Sequence, residues 1–305
     1  MALNVLTAAQ LAAINTAMVA RFNKGLAVQK EDWKQIARLI SSNGASNTYA
    51  FLSQFPAFRE WVGARLHKTA SKTAFQVLNR KFENTLDIPL TDIEDDNWGM
   101  YADIAESHGV SVNDLMNDLV FGKIPLGFSE VCYDGQFFFD TDHPVYPNED
   151  GSGVATLVSN MQAGVGEPWV LLCTDRAPQP FYLQERTKAQ FIPKTSAVNS
   201  DGVFENDMVS FGGRWRGEAV FGFWQLAFGS KADLTAANFE AAFKTMETQK
   251  GNGNRKLGIT PDLLVCGPGN RSAAEALLKA QKNAAGADNI NYNKVKLLVT
   301  PWLGA

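Results

Sequence analysis

The side chains best suited to chemistry lie in one short cluster, where Asp140, Asp142 and His143 come directly before Pro144. Two carboxylates and an imidazole are ligands that Zn²⁺ and similar cations accept, so the cluster could serve a metal-dependent hydrolase. A catalytic metal usually takes ligands from a second element, and neither of the other histidines has a metal-type partner at helical spacing. In a structural turn, the Asp and Thr side chains would instead bond nearby backbone N–H groups. We favour the turn, predict no catalytic residue, metal or cofactor, and keep the hydrolase as the alternative.

A second candidate is the turn at residues 267–271, which lies between a predicted strand and a predicted helix, as a phosphate-binding loop would. It lacks the third glycine of the dinucleotide pattern and the Lys-Ser/Thr pair of a P-loop. Pro268 also removes an N–H that a phosphate cradle would use. We interpret the segment as a strand-to-helix turn, and a small-molecule-binding α/β protein built on it is the third functional hypothesis.

The sequence Arg214-Trp215-Arg216 could contact nucleic acid by stacking and charge. It lies in a glycine-rich predicted strand, where alternation places the two arginines on one side and Trp215 on the other. We expect the arginines to form ion pairs within the subunit or between subunits.

Length and composition indicate a large soluble subunit. The chain has 305 residues, of which 45% are apolar and 20% charged, so we expect one subunit with two packed lobes. Its net charge of −4 argues against a protein whose main task is to bind nucleic-acid phosphates. Cys132, Cys173 and Cys266 are far apart and are expected to be buried free thiols in a reducing compartment. No apolar run approaches the ~18 residues of a membrane span and the N-terminus lacks a signal-peptide core, so we expect a cytoplasm-like setting.

The longest structural signal is a predicted hairpin that turns at Asn79-Arg80. Its first arm alternates around residues 73–77. On the return arm, apolar side chains fall at every second position and share one face: Leu86, Ile88 and Leu90. Each arm of about ten residues would extend roughly 33 Å, and a two-stranded ribbon of that length cannot bury its own apolar face. We therefore expect the hairpin to lie across another surface, with an acidic segment, residues 91–97, at its root.

Periodicity and capping signals predict the remaining elements. The predicted helices are one from a capping box at Thr7 and Gln10 to Gly25, a second carrying Trp33, Ile36 and Ile40, a long helix from Trp98 to Gly122 interrupted at Gly109, one capped by Thr235, and one over 271–282. The predicted strands cover 169–174, 181–184, 189–192, 208–228, 263–266 and 295–299, and an exposed mobile loop covers 140–166. This mixture predicts an α+β architecture with a strand-helix-strand lobe at the C-terminus.

Several segments together resemble a known family. They are Phe55-Pro56-Ala57-Phe58-Arg59-Glu60-Trp61-Val62-Gly63, Lys81-Phe82-Glu83-Asn84-Thr85, Ile93-Glu94-Asp95-Asp96 and Phe138-Phe139-Asp140-Thr141-Asp142-His143-Pro144. In matching order and over nearly the whole chain, they are similar to the major head (capsid) subunit of Mu-like tailed phages. The resemblance implies the HK97-like major capsid fold, with an N-terminal arm, an E-loop hairpin, a P-domain with a spine helix and long strands, and an A-domain.

The resemblance also implies a division of the chain. The expected parts are an N-terminal arm and lead-in over 1–63, the E-loop hairpin over 64–96, the P-domain over 97–125 and 168–230, and the A-domain over 126–167 and 231–305.

The function implied by the resemblance is a structural protein rather than an enzyme. Subunits would self-assemble, as hexamers and pentamers, into an icosahedral head that encloses double-stranded DNA without sequence-specific binding. A separate scaffolding protein and a portal would be partners, a decoration protein is a further partner the resemblance allows, and no membrane is involved. The head would be assembled in the bacterial host cytoplasm and remain in the virion.

We expect the E-loop hairpin to hold the neighbouring subunit. Apolar side chains should supply most of the strength of this contact, because exposed ion pairs contribute only about 0 to 1 kcal/mol each and mainly set the register. The predicted contact residues are Arg65, Lys68, Phe75, Val77, Arg80, Lys81, Leu86, Ile88 and Leu90.

Overall fold

The structure is a computed structural model, and it describes residues 7–28, 31–49, 76–95, 99–194, 207–283 and 285–304. The helices in these ranges are α1 (Ala8–Val28), α2 (Leu90–Glu94), α3 (Gly99–Leu126), α4 (Ala236–Glu247) and α5 (Arg271–Leu278). The strands are β1 (Ala37–Ser41), β2 (Ser46–Thr48), β3 (Gln76–Leu78), β4 (Arg80–Pro89), β5 (His143–Val145), β6 (Thr156–Val158), β7 (Met161–Gln162), β8 (Trp169–Leu172), β9 (Phe181–Pro193), β10 (Met208–Phe221), β11 (Ala227–Ser230), β12 (Lys250–Gly251), β13 (Arg255–Lys256), β14 (Leu263–Cys266) and β15 (Lys296–Val299).

Helix α1 begins at the predicted capping box. The Thr7 backbone N–H donates to Gln10 Oε1 at 2.9 Å, and the Gln10 N–H donates back to Thr7 Oγ1 at 3.2 Å, which satisfies two otherwise free donors. The apolar stripe of Leu11, Ile14, Met18 and Phe22 is buried as predicted. The predicted end at Gly25 is wrong, because the helix continues to Val28.

Helix α3 is continuous over 28 residues, so the predicted interruption at Gly109 is also wrong. A Cβ on Gly109 would lie 2.0 Å from the carbonyl oxygen of Phe22, and one on Gly25 would lie 1.9 Å from the carbonyl oxygen of Glu106. The two glycines therefore mark the point where α1 and α3 cross with their backbones in contact. Glu106 also accepts hydrogen bonds from Arg21 and Lys24 on α1, at 3.2 and 2.9 Å.

The second predicted helix is not formed. Residues Asp32–Gln35 make one short 3-10 turn, and the chain then enters β1, which pairs in parallel with β9. Trp33 and Ile36 are buried as a helical stripe would require, but Ile40 lies on a strand. The burial of Trp33 and Ile36 is compatible with either a helix or a strand. The strand forms because the edge of β9 has backbone N–H and C=O groups that need hydrogen-bond partners.

The predicted hairpin between residues 73–77 and 82–90 is wrong in its pairing. Strand β4 pairs antiparallel with β10, from Pro89 opposite Met208 to Arg80 opposite Gly217. Strand β3 pairs instead with β2, with Ser46 opposite Leu78. Residues 49–75 connect β2 to β3, and 50–75 lie outside the described residues, so the connection that this pair closes begins earlier in the chain than the predicted hairpin.

Two sheets organise the described part of the subunit. One has four strands in the order β1-β9-β10-β4 and the other has five in the order β15-β14-β8-β11-β7. Strands β14 and β15 run parallel with α5 between them, which confirms the predicted strand-helix-strand lobe. Strands β8 and β11 pair with each other in this same sheet, so the ends of the range 168–230 share a sheet with the C-terminal lobe.

The hydrophobic core has two parts that meet at the five-stranded sheet. The first lies between α1, α3 and the four-stranded sheet, and it includes the sheet residues Val170 and Leu172. The second lies between the other face of the five-stranded sheet, with Trp169 and Leu171, and helices α4 and α5. Helix α4 begins where Thr235 accepts from the Asn238 N–H, as the sequence predicts.

Candidate assembly surface and the buried histidine cluster

His143 is completely buried, and its bonding partner is an acid that the sequence analysis did not select. Its Nδ1 lies 2.7 Å from Asp134 Oδ2, and its ring stacks on Trp224 with centroids 3.9 Å apart and planes 9° apart. Asp134 belongs to the turn at Gly135, whose φ of 91° requires glycine. The sequence signals this turn as Asp-Gly, but no local pattern signals that the carboxylate reaches a histidine nine residues later.

The Cys132 thiol completes the cluster, but the order of the three groups, thiol, carboxylate and imidazole, is unsuited to catalysis. The Cys132 thiol donates to Asp134 Oδ1 at 3.1 Å, so the carboxylate lies between the sulfur and the imidazole. A cysteine nucleophile needs the imidazole beside the sulfur, and burial raises the pKa of the Cys132 thiol far above its ordinary value. Although burial of Asp134 works in the opposite direction, the hydrogen bond from His143 holds the pKa of this carboxyl below its usual value. The arrangement is therefore a buried hydrogen-bonded cluster, in which His143 Nε2 has no hydrogen-bond partner among the described residues.

Two groups of side chains in the described ranges have ligand atoms close enough to hold a cation. These are Cys132, Asp134 and His143, and Cys173, Asp175 and Asp262, with ligand atoms within 4.8 Å of one another. In both groups, the thiol already donates to an aspartate. In the second group, Asp262 also accepts from the backbone N–H and the hydroxyl of Thr174 at 2.5 and 2.7 Å. Cys132, Cys173 and Cys266 are all free and buried, as predicted.

Asp140 and Asp142 do not join His143 in a common site. Asp140 accepts from the backbone N–H groups of Phe137 and Thr141, at 3.1 and 2.7 Å, and Asp142 accepts from the Thr141 hydroxyl at 2.9 Å. These are bonds of a structural turn. A buried amide secures the turn further, since Asn160 accepts from the Asp140 N–H and donates to the carbonyl oxygen of Phe138.

The turn at residues 267–271 is occupied by a carboxylate. A Cβ on Gly267 would lie 1.9 Å from Glu167 Oε1, and one on Gly269 would lie 2.0 Å from Glu167 Oε2. An acid in this position would repel the phosphate that such a loop would otherwise cradle. The glycines are therefore explained by the close approach of Glu167.

A buried polar network joins the two ends of the β2–β3 connection. Gln184 of β9 is fully buried, accepts from the Tyr49 hydroxyl and donates to Asn79 Oδ1 at 2.7 Å. Asn79 in turn donates to Ser42 Oγ at 2.8 Å and to the carbonyl oxygen of Gly44 at 3.0 Å. One glutamine thus connects Tyr49, at the start of the β2–β3 connection, with Asn79, just after β3. An isolated Gln in a strand carries no local signal, so the sequence does not predict this network.

The predicted contact residues fall into three classes. Leu86 and Ile88 are buried in the core of their own subunit, so the prediction that they cover a neighbour is wrong for these two residues. The second class is not buried in the core. Leu90 and Val77 are partly buried against their own subunit. Lys81 and Arg80 are exposed, and Arg80 is bonded to Glu218. Arg65, Lys68 and Phe75 lie outside the described residues. The β4–β10 pairing causes the correction, because it turns the apolar face of β4 towards α3.

Comparison with known proteins identifies the family. The family described as "Mu-like prophage major head subunit gpT" matches residues 11–303 of the chain. The chain belongs to this family. It is 36% identical to the major capsid protein of Escherichia phage Mu over 305 residues, which covers 98% of this chain and 100% of that one. It is also 36% identical to the FluMu major head subunit of Haemophilus influenzae, covering 92% of this chain and 94% of that one.

Solved structures support the same assignment. The chain superposes on the procapsid of bacteriophage JBD30 with a TM-score of 0.88 and 42% identity, covering 98% of this chain and 100% of that one. Against the JBD30 capsid, the TM-score is 0.75 and the identity 34%, with the same coverage. The α+β capsid fold and the major head protein function predicted from the sequence are therefore confirmed. Members of this family are structural head proteins, and the chain is not an enzyme. No helix in the described ranges is long and apolar enough to span a membrane.

Proposed function

We propose that this major head subunit assembles, as hexamers and pentamers, into a closed icosahedral shell around double-stranded DNA. The observation that carries the proposal is the full-length agreement with a chain taken from the JBD30 procapsid, at a TM-score of 0.88. A net charge of −4 fits a shell that surrounds DNA without gripping it.

The division into parts follows the two cores. The N-terminal arm is α1, and the E-loop is the β2–β3 connection, in which residues 50–75 lie outside the described residues. The P-domain is α3 with the four-stranded sheet, including β1, while the A-domain is the five-stranded sheet with α4 and α5. This assigns β8 and β11 to the A-domain and β4 to the P-domain, since strands that share a sheet and a core move together.

The β2–β3 connection is the proposed contact with a neighbouring subunit. Gln184 holds the ends of this connection together, because it bonds to Tyr49 at its start and to Asn79 just after β3. The contact residues that remain in the proposal are Arg65, Lys68, Phe75, Val77, Lys81 and Leu90. Arg80 is weaker as a contact residue, because Glu218 already satisfies its charge.

Further partners follow from the same function. A scaffolding protein would set the size of the shell, and a portal would occupy one vertex. The JBD30 capsid has been observed decorated with minor capsid protein trimers, so a decoration protein is proposed for the outer surface. Assembly in the host cytoplasm fits three buried free cysteines, which a reducing compartment preserves.

We also infer that the described conformation is that of the immature shell. The JBD30 head protein is known in a procapsid and in a capsid, and this chain agrees better with the first, at a TM-score of 0.88 against 0.75. Electron microscopy of procapsids and mature capsids of this protein would test this, with the described fold expected to fit the procapsid density better. A better fit to the mature capsid would contradict the inference.

Sedimentation of the subunit expressed with the head-assembly proteins of its phage tests the main proposal. The expected product is a population of particles containing hundreds of subunits, which electron microscopy should show as closed shells. A monomer or small oligomer under every such condition would contradict the proposal. Omitting the scaffolding protein is the matched control, and it should give fewer particles or particles of irregular size.

A further inference from the structure

The face of the four-stranded sheet that points away from α1 and α3 carries an excess of positive charge. We call it the basic face, and its cations are Arg186 and Lys188 of β9, Arg214 and Arg216 of β10, and Lys81 of β4. All are exposed except Arg216, which is half-buried, while Trp215 between the arginines is buried on the opposite side. Only Glu83 and Asp87 of β4 oppose them from the exposed positions of the same strands. In a chain with a net charge of −4, this is a local reversal of sign.

None of these cations forms an ion pair with an acid in the described part of the subunit, although Glu83 lies directly opposite Arg214 in the β4–β10 register and offsets part of its charge. Nearby bases do have one: Arg80 pairs with Glu218, and Lys123 pairs with Glu130 at 2.7 Å. Arg216 lies directly opposite Lys81 in the β4–β10 register, and like charges in that position destabilise a sheet. The Nε atom of Arg216 is moreover buried without a hydrogen-bond acceptor in the described ranges. The repulsion between Arg216 and Lys81 is an electrostatic cost that an incoming anion would relieve.

The same subunit presents an acidic surface beside α2. Glu94 and Asp95 are exposed, and neither is paired with a base in the part of the chain that the structure describes. Asp92, on the same short helix, accepts from the Tyr101 hydroxyl at 2.5 Å and is thereby held in place. A shell brings many copies of the subunit together, so the acidic surface of one copy can meet the basic face of another.

We propose that the basic face of one subunit binds the acidic surface at Glu94 and Asp95 of a second copy. This proposal rests on the assembly function proposed above and names one of its contacts. A second copy fits better than DNA, because Glu83 and Asp87 interrupt the cations, whereas phosphate binding favours an unbroken basic surface. Charges at such a contact mainly set register and rate of association, and they are screened by salt.

Charge reversal with rescue tests the contact in the full chain. Arg214→Glu with Arg216→Glu should lower the yield of sedimenting shells about tenfold at low salt, the effect of roughly 1.4 kcal/mol at one interface. Glu94→Arg with Asp95→Arg should do the same, and the four substitutions together should restore the yield to within about twofold of the original protein, since about 0.4 kcal/mol then remains. Lys250→Glu with Lys256→Glu is the matched control, because these two exposed lysines also lie opposite each other in a β pair, in the other lobe.

Each remaining outcome decides the proposal. If the fourfold variant assembles no better than either reversal, or if the reversals leave the yield of shells unchanged, the contact does not exist. If the arginine reversals instead abolish binding of a short DNA duplex in fluorescence anisotropy and spare the shells, the face binds nucleic acid. Arg214→Gln with Arg216→Gln covers the case in which the glutamates prevent folding, and it should give a smaller, salt-sensitive loss of shells. A wild-type protein that forms no shells overturns the assembly function itself, which separates the two failures.

Discussion

At the scale of single residues, the motif with the strongest appearance of chemistry is structural. His143 is bonded to Asp134 and stacked on Trp224, and the acid comes from a different turn than the acids next to His143 in sequence. The stacking of His143 on Trp224 connects the segment after α3 with the region just before β11. Its removal should therefore reduce stability without removing any turnover.

Asp134→Asn should lower the free energy of unfolding by about 2 kcal/mol at pH 7, because it weakens a charge-assisted hydrogen bond to a buried imidazole. The pKa of Asp134 is held below the ordinary value of 3.8, so its stabilisation is fully present above that pH and is lost as the pH falls further. The difference between the two proteins should therefore shrink below pH 3.8 in denaturant melts. Asp142→Asn is the control, with an expected change within about 0.5 kcal/mol, and equal effects of the two would contradict the assigned role of Asp134.

At the scale of elements, α1 and α3 form one unit through a close helix crossing. Gly25 and Gly109 allow the backbones of α1 and α3 to touch, and Glu106 adds ion pairs to Arg21 and Lys24. The hydrogen bond from Lys24, followed by that from Arg21, lowers the pKa of Glu106. Gly109, which the sequence predicts as an interruption of α3, is therefore the residue that lets α1 pack closely against α3.

Gly109→Ala should destabilise the subunit by about 1 to 3 kcal/mol, because the added methyl group would overlap the backbone of α1. Gly122→Ala is a control on the same helix, since a Cβ there meets nothing within 4 Å. It should stabilise the protein by about 0.5 to 1 kcal/mol through helix propensity. Thermal melts of both variants measure the comparison, and a neutral Gly109→Ala would show that the helices can separate at no cost.

The bonds of Gln184 to Tyr49 and Asn79 give a second prediction at this scale. Gln184→Leu should lower stability by about 1 to 3 kcal/mol, since the Tyr49 hydroxyl and the Asn79 side chain lose their buried partner. If these bonds also support the proposed E-loop contact, this variant should form fewer shells or irregular shells, which electron microscopy would show. Gln190→Leu, at an exposed position of the same strand, is the control and should change neither property. Regular shells from a destabilised Gln184→Leu subunit would limit the glutamine to a stabilising role.

At the scale of the whole molecule, the structure separates apolar residues that build the subunit from those left for its neighbours. Ile88 is 0% exposed and lies in the first core, whereas Leu78, on β3, is 66% exposed. Both belong to the stretch that the sequence predicts as one long hairpin. Only the second remains available to another copy.

Ile88→Asp should prevent stable folding, because a buried unpaired carboxylate costs several kcal/mol, in addition to the lost apolar burial. Leu78→Asp should leave the melting temperature within a few degrees of the original and should lower the yield of shells. Circular dichroism and sedimentation together make the comparison. A folded Ile88→Asp subunit that fails only in assembly would restore the original prediction that this residue faces a neighbour.

The sequence by itself determined the elements whose signals are local. The stripe and capping box of α1, the Thr235 cap and the apolar strands of the C-terminal lobe follow from side chains a few positions apart, and the order of motifs was enough to indicate the capsid family. Only the tertiary structure decided which strand pairs with which, that residues 37–41 form a strand, and that His143 bonds to Asp134. The physical reason is that β4 could satisfy its backbone against any free strand edge. The choice of β10, more than a hundred residues later, depends on the core that both strands share with α3.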